Sequence, residues 1–162
     1  MSVSSTKIGN DRLRIQVNGF EELKRRIKQR GYVRKIYLGR GKKLVESIQK
    51  ATHEIEREFG DMVTSIYVVG KAACGQVSDD FIDLVIIMKQ VFSNFMFTTH
   101  GVFVDKVFEP MLLEDEDTPF IYDPLYFTVE DIRYPLPSKR MKKVIEEVQQ
   151  NGILIYGVDV LS

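Results

Sequence analysis

Cysteine, histidine and tryptophan are scarce in this 162-residue chain, which holds one cysteine, two histidines and no tryptophan. An internal disulfide requires two cysteines, so Cys74 cannot form one. Together with His53 and His100 it also makes a poor structural zinc site, because such sites take four cysteine or histidine ligands. Any metal ion that this protein binds therefore has to be held through carboxylates.

Long hydrophobic runs are absent as well. No apolar stretch approaches the roughly 20 residues that a membrane-spanning helix needs, and residues 1–9 lack the apolar core of a signal peptide. Hydrophobic residues make up 44% of the chain, which suffices to fill the core of one domain of this length. We therefore expect a soluble, cytoplasmic protein with no membrane partner.

The formal net charge is zero, but the two signs are separated along the chain. Residues 1–60 carry 15 Lys and Arg against 7 Asp and Glu, whereas residues 61–162 carry 8 against 16. The segment 24–43 contains ten basic side chains and no acidic one, a density that suits the phosphates of a nucleic acid or a nucleotide. The alternatives are a solvated helix face, or attraction to the chain's own acidic half or to an acidic partner.

Hydrophobic periodicity predicts two helices in the first 60 residues. Phe20, Leu23 and Ile27 recur at helical spacing and indicate a short helix that ends near Gly31. A longer helix is predicted after the break formed by residues 39–41, and Gly60 stands where a helix commonly ends. Its apolar positions form one core stripe: Leu44, Ile48, Ala51, Ile55 and Phe59.

The rest of the chain predicts strands and one further helix. Residues 65–69 and 81–88 are continuous apolar runs rich in β-branched residues, as expected of central strands covered on both faces. Other predicted elements are a β pair over residues 92–98 and 102–108, a helix over residues 138–150 and a strand over residues 153–156. Exposed loops are predicted at residues 114–117 and at the prolines in positions 119, 124, 135 and 137. The predicted fold class is α/β (α+β), a mixed sheet flanked by helices.

The most informative segment is Val-Gly-Lys-Ala-Ala-Cys-Gly at residues 69–75, followed by Asp-Asp-Phe-Ile-Asp-Leu-Val at residues 79–85. A strand that ends in glycine and turns into a helix leaves backbone N–H groups pointing outward, where small residues let an anion approach. Carboxylates on the next strand can hold a divalent metal ion against phosphates, because hard oxygen ligands suit Mg²⁺. The alternative is a tight strand-to-helix turn with no ligand.

This order of motifs resembles the minimal nucleotidyltransferases of the DNA polymerase beta superfamily, whose pattern is Gly-Ser, a second Gly, then Ser-Asp-x-Asp-Leu. Residues 102–108 resemble the strand of the family that carries its third carboxylate. Residues 145–156 are similar to its closing helix, glycine and strand. The resemblance extends from about Leu44 to Tyr156, where the order of elements agrees.

The resemblance implies a polymerase beta palm-like domain over residues 41–162. A basic N-terminal extension with a short helix is expected over residues 1–40, and the two parts are expected to form one compact unit. The resemblance also implies transfer of a nucleoside monophosphate from ATP or another triphosphate with Mg²⁺, or a descendant that has lost this activity. The site residues it implies are Gly70, Lys71 and Gly75 for the nucleotide, and Asp83 and Asp105 for the metal. Small members of the family often pair with a helical protein, so a protein partner is expected by resemblance.

Two departures from the family pattern bear on activity. Lys71 stands where the family has serine, so a cation replaces a hydroxyl donor. When Asp83 is aligned with the family's second aspartate, the first falls at Phe81, and the metal pair loses one member. Side chains alternate across a strand, so Asp80 points away from the Asp83 face. Asp80 is a catalytic candidate only if a β-bulge at Phe81 turns it onto that face.

Asp105 lies at the centre of the predicted strand over residues 102–108, among valines. Its expected role is the third metal ligand, or the base that takes the acceptor's proton, and the alternative is an exposed aspartate. If Asp83 and Asp105 share one Mg²⁺, we expect their carboxylates within about 5 Å of each other.

Two classes of function stay open. The first is an enzyme that transfers a nucleotide with Mg²⁺ at Asp83 and Asp105. The second is a non-catalytic module that binds a nucleotide, a nucleic acid or a protein partner and uses the basic segment 24–43. Phe81 favours the second class, because two-metal catalysis stabilises both the attacking and the leaving oxygen and needs the missing carboxylate.

Overall fold

The computed structural model describes residues 14–31, 35–78, 80–90, 96–114, 120–133 and 139–161. The helices are α1 (Val17–Gly31), α2 (Lys35–Phe59), α3 (Gly70–Ala73), α4 (Met96–Phe103), a π-helical turn (Val104–Phe108), α5 (Glu109–Glu114), α6 (Val129–Arg133) and α7 (Lys139–Asn151). The strands are β1 (Val63–Val69), β2 (Phe81–Met88), β3 (Ile121–Thr128) and β4 (Ile153–Gly157). Within the described residues, no helix is both long and apolar enough to cross a membrane.

The four strands form one mixed sheet in the order β3-β2-β1-β4. β1 pairs antiparallel with β2 and with β4, whereas β2 and β3 run parallel. The two runs predicted as central strands are indeed the inner strands, and their residues are almost all buried. The predicted fold class, a mixed sheet flanked by helices, is confirmed.

The sheet has two faces with different coverings. On the face that we call the α2 face, Ile82, Leu84 and Ile86 of β2 join the main core with side chains of α1, α2, α4 and the π-helical turn. On the opposite α7 face, Val85 and Ile87 pack in a smaller cluster with side chains of α7 and the C-terminal residues. Side chains alternate across a strand, so Phe81 and Asp83 also belong to the α7 face.

The long second helix begins earlier than predicted. The expected break at residues 39–41 does not occur, because α2 runs without interruption from Lys35 to Phe59. Gly41 serves close packing of two helices, since a Cβ there would lie 2.5 Å from Cγ2 of Ile27 in α1. Gly41 is therefore a signal of helix contact and not of a helix boundary.

The first helix belongs to the main core. Its buried side chains Phe20, Leu23 and Ile27 pack in one cluster with the strand side chains that point to the α2 face. The proposed boundary between residues 1–40 and 41–162 falls inside α2, and it separates α1 from the core that α1 helps to form.

The predicted β pair over residues 92–98 and 102–108 is wrong in its described part, which is helical from Met96 to Glu114. Thr99, Phe103 and Val107 are buried at intervals of four residues, which is the helical period. The β-branched and aromatic composition suggested strands, but packing against the main core favours helix. The missing strand is β3, whose Pro124 is a buried strand residue and not a loop marker.

Parts of some predictions lie outside the described residues. These are residues 1–13 and 32–34 of the N-terminal region, residues 92–95 of the β pair, the acidic residues 115–117 and the prolines at 119, 135 and 137. The predicted C-terminal helix and strand are confirmed as α7 and β4.

Candidate functional site

The candidate site begins where β1 ends. Gly70 follows Val69 with a φ of +66°, a backbone conformation that favours glycine, and opens the short helix α3. A Cβ at Gly70 would lie 2.4 Å from Oδ2 of Asp83 on the neighbouring strand. The strand-to-helix turn predicted from the sequence therefore exists, and it packs directly against a carboxylate of the acidic motif.

The structure pairs Asp83 with a second carboxylate that the sequence reasoning missed. Asp83 of β2 and Asp123 of β3 are direct partners in the parallel register. Adjacent strands lie about 4.8 Å apart and paired residues point to the same face, so both carboxylates are on the α7 face. Asp123 is exposed and Asp83 is partly buried. Two carboxylates on neighbouring strands beside a glycine turn form the chemical centre of the site.

A sequence signal for Asp123 existed but was hidden. Residues 120–127 read Phe-Ile-Tyr-Asp-Pro-Leu-Tyr-Phe, an apolar and aromatic run of strand composition. Pro124 argued for a loop, because proline cannot donate a hydrogen bond to a ladder. It is tolerated because β3 is at the edge of the sheet.

Beyond the carboxylate pair, the same face carries two exposed apolar side chains. Phe81 and Ile121 are direct partners in the β2–β3 register and are 53% and 47% exposed. They lie two residues before Asp83 and Asp123, so all four side chains share the α7 face. Phe81 and Asp83 therefore share one face of β2, as the alternation of side chains along a strand requires.

Two side chains of opposite charge lie at the turn, Lys71 of α3 and Glu147 of α7. Lys71, in the first turn of α3, is exposed. The backbone N–H of Gly70 donates a hydrogen bond to Oε1 of Glu147 in α7, at 3.1 Å. An amide of the predicted phosphate cradle is therefore occupied by a carboxylate of the chain itself.

Gly75 has a structural role. It adopts a φ of +83°, and a Cβ there would lie 2.3 Å from the carbonyl oxygen of Arg26 in α1. Its N–H donates to the carbonyl of Ala72. Gly75 is buried between α1 and the turn, so its amide is not presented to a nucleotide as the resemblance implied.

Asp80 does not join the Asp83 face. The β2–β3 register is continuous from Phe81 to Met88, so β2 has no bulge at Phe81 that would turn Asp80 around. The Asp80 carboxylate instead accepts a hydrogen bond from Nη2 of Arg40 in α2, at 2.5 Å. Arg40 also donates to the carbonyl of Val77 and lies over the ring of Phe120. Asp80 thus fixes α2 to the start of β2, on the face opposite Asp83.

Asp105 is also not brought to Asp83. It is exposed in the π-helical turn and not in a strand. Its neighbours Phe103, Val107 and Phe108 pack in the main core with Leu84, on the α2 face. Because Asp83 points to the α7 face, the sheet lies between the two aspartates, and they do not form the shared metal site that the resemblance implied.

Much of the basic segment 24–43 is engaged within the chain. Arg26 donates from Nη1 to the carbonyls of Ala73 and Asn151, at 2.8 and 2.7 Å, and from Nε to Glu22. Arg25 also pairs with Glu22, and Lys24 pairs with Glu21. Lys28, Arg30, Lys42 and Lys43 are exposed side chains of the segment.

Three tyrosines whose pKa values are raised by burial lie in the packed parts of the protein. Burial raises the pKa of the Tyr122 and Tyr126 hydroxyls well above their ordinary range. The Tyr122 hydroxyl is hydrogen-bonded to Ser47, and that of Tyr126 to Nδ1 of His100. Burial, followed by the hydrogen bond to Asp159, also raises the pKa of Tyr67. These tyrosines stay protonated at neutral pH and serve packing, and none of them is part of the carboxylate site.

Comparisons with known proteins found no sequence match and distant structural matches. No protein-family model matches the sequence, and no curated protein matches it. Two mutant crystal structures of the toxin–antitoxin MntA-HpeT are similar in fold. One carries a tyrosine-to-alanine change, shares 13% identity and covers 68% of this chain and 73% of its own, with a TM-score of 0.44. The other carries two aspartate-to-glutamate changes, with 12% identity, coverage of 67% and 72%, and the same TM-score of 0.44.

Proposed function

We propose that this chain is a nucleotidyltransferase-like protein that binds a nucleoside triphosphate together with one Mg²⁺ and does not transfer the nucleotide. The observation that carries this proposal is the register of β2 and β3, which makes Asp83 and Asp123 neighbours on one face beside the Gly70 turn. The sequence resemblance supplies the expected ligand class, and the carboxylate pair supplies a donor set for its metal.

The donor set fits one magnesium ion. Mg²⁺ is usually held by one or two carboxylates plus phosphate oxygens and keeps several waters, and Asp83 and Asp123 match that pattern. When bound, the ion neutralises the charge of the phosphates. Among the described residues, no group of three or more acidic, histidine or cysteine side chains is placed to hold a metal ion. The described residues therefore offer ligands for one metal ion, at Asp83 and Asp123.

The chain's own residues would bind and orient the triphosphate. Lys71 is exposed at the same turn and contributes a positive charge toward the phosphates. A phosphate that takes the Gly70 amide has to displace Glu147, which occupies that amide in the structure. Charge neutralisation and positioning supply most of the catalysis in phosphoryl transfer, so Phe81 in place of a carboxylate predicts binding without transfer.

Calorimetry of the full chain with ATP, with and without Mg²⁺, tests the proposal. We expect binding that requires Mg²⁺ and that falls by at least about tenfold in Asp83→Asn and in Asp123→Asn. Asp61→Asn is the matched control, because Asp61 is an exposed aspartate in the turn before β1, at the other end of the strand. Binding that is unchanged by EDTA, or equal in all three variants, would contradict the proposal.

A labelled-nucleotide assay tests the absence of transfer. We expect no product from the wild type with any of the four triphosphates, with Mg²⁺ or Mn²⁺. Phe81→Asp adds a carboxylate on the Asp83 face and is expected to raise the affinity for the metal. Robust wild-type transfer that is lost in Asp83→Asn would show that one carboxylate pair suffices, and the chain would then be an enzyme.

Binding of nucleic acid through residues 24–43 and binding of a protein partner stay predictions. The first is checked by the salt dependence of binding, since each phosphate contact on duplex DNA contributes a log-log slope of roughly −0.9. Charge reversal of the exposed Lys28 and Lys42 is the variant to compare, because Arg26 and Arg40 hold elements of the fold together.

A further inference from the structure

Phe81 and Ile121 form an exposed apolar pair beside the carboxylates. Scattered exposed apolar residues are ordinary on protein surfaces, but these two are neighbours in register and therefore adjoin. About half of each side chain is open to solvent, whereas Ile82, Leu84 and Val85 of the same strand are buried. The chain therefore keeps an apolar surface at the end of the strands, immediately next to two acidic groups.

We propose that Phe81 and Ile121 form the nucleobase subsite of the nucleotide site, with the base stacked on the ring of Phe81. This inference rests on the proposed function, because the phosphates must be anchored through Mg²⁺ at Asp83 and Asp123. At this position an aromatic ring takes the place of a metal ligand. The site therefore loses the second metal ion and gains recognition of a base.

The spacing along the strands suits a nucleotide. Residues two apart on one face of a strand are separated by about 7 Å, so the apolar pair lies about that far from the carboxylates along the strands. The ribose separates a base from its phosphates by a comparable distance. A triphosphate anchored at Asp83 and Asp123 thus places its base over Phe81 when it extends toward the starts of β2 and β3, with Ile121 in contact with the base edge.

Stacking predicts a broad specificity. Every nucleobase has a π face, so an aromatic platform accepts all four bases without reading hydrogen-bond patterns. Purines offer the larger ring surface and are expected to bind more tightly than pyrimidines. The ligand class is therefore a nucleoside triphosphate with a preference for purines and no requirement for one particular purine.

The experiment compares Mg-ATP with Mg-tripolyphosphate, which has the phosphates but no base, by calorimetry on the full chain. We expect the wild type to bind ATP about 5- to 150-fold more tightly than tripolyphosphate, the range that one base–aromatic stack provides. Phe81→Ala is expected to abolish this ratio by weakening ATP alone, and Phe81→Tyr to preserve it. Leu113→Ala is the matched control, because Leu113 is a 73% exposed apolar residue of α5, whose Met111 packs against the main core on the α2 face and not on the face of the carboxylates.

The outcomes separate this inference from the proposed function. Equal wild-type affinities for ATP and tripolyphosphate, or a ratio that survives Phe81→Ala, would overturn the base subsite while leaving the Mg²⁺–phosphate site intact. Failure of both ligands to bind the wild type would overturn the proposed function and the subsite together. An ATP preference that Leu113→Ala removes as well would show a general effect of surface change and would also reject the subsite.

Discussion

The two faces of the central sheet differ in what they bury. The α2 face is covered by α1, α2, α4 and the π-helical turn, and Ile82, Leu84 and Ile86 of β2 are at most 1% exposed there. On the α7 face the exposure of the side chains varies along the same strand. Val85 and Ile87 are buried, but Asp83 is partly exposed and Phe81 is 53% exposed.

Within strand β2, the residues of the α2 face therefore contribute to stability, and those at the start of the α7 face belong to the candidate site. The α2 face holds the larger part of the apolar core, which is the dominant favourable contribution to folding. The end of the α7 face presents carboxylates and an aromatic ring that the fold does not need to bury. Substitutions on the α2 face should therefore lower the free energy of unfolding strongly, and substitutions at the start of the α7 face should lower it little.

The largest expected effect is on the α2 face. Leu84→Ala removes a side chain that is 1% exposed and should lower the free energy of unfolding by about 2–5 kcal/mol, through lost burial and a residual cavity. Phe81→Ala, three residues earlier on the other face, should change it by less than about 0.5 kcal/mol. Urea denaturation measures both. Equal losses in the two variants would mean that the Phe81 side of the sheet is as tightly packed as the core.

Gly75 follows α3 and packs against α1, so its substitution is expected to affect stability. Gly75→Ala forces a side chain onto a φ of +83° and against the Arg26 carbonyl. It should cost about 2–4 kcal/mol of unfolding free energy from backbone strain and displaced packing.

Gly39→Ala is the control for this substitution. Gly39 lies within α2, and a Cβ there meets no atom within 4 Å. Alanine should therefore stabilise the protein by about 0.5–1 kcal/mol, because it restricts the unfolded chain and favours helix. Thermal unfolding of the two variants should move in opposite directions. A destabilised Gly39→Ala would argue against the uninterrupted α2.

The smallest expected effect is at the surface of α1. Hydrogen bonds from Arg25 and Arg26 lower the pKa of Glu22 to about 2, from an ordinary value of 4.5. A carboxyl whose pKa is lowered by folding stabilises the protein above its unfolded pKa. This contribution should be complete above about pH 4.5 and lost as the pH falls toward 2.

Because this ion pair is near the surface, solvent screening limits its contribution to the free energy of unfolding to about 0.2–1 kcal/mol. Glu22→Gln should therefore cost no more than this at pH 7, and the difference from wild type should vanish near pH 2. Glu21→Gln is the control, since Glu21 is paired with Lys24 at the longer distance of 3.4 Å. Denaturation curves between pH 2 and 7 check the window, and a difference that persists at pH 2 would contradict it.

Sequence reasoning predicted the elements whose pattern is strong and local. The inner strands, the C-terminal helix and the closing strand were predicted within a few residues, because continuous β-branched runs and a clear helical stripe leave few alternatives. Residues 96–98 and 102–108 were predicted as strands because their composition is ambiguous, and their helical form depends on contacts with the main core. β3 was missed because Pro124 is typical of loops and only its edge position makes it acceptable.

The candidate site divides in the same manner. The sequence by itself determined the glycine turn at Gly70 and the position of Asp83 on the following strand, since both depend on neighbours within about 15 residues. Only the tertiary structure decided that Asp123 partners Asp83, that Asp80 binds Arg40 and that Asp105 lies beyond the sheet. The physical reason is that strand register and helix placement are set by burial between segments distant in the chain, and a single residue's local sequence carries no record of which strand will lie beside it.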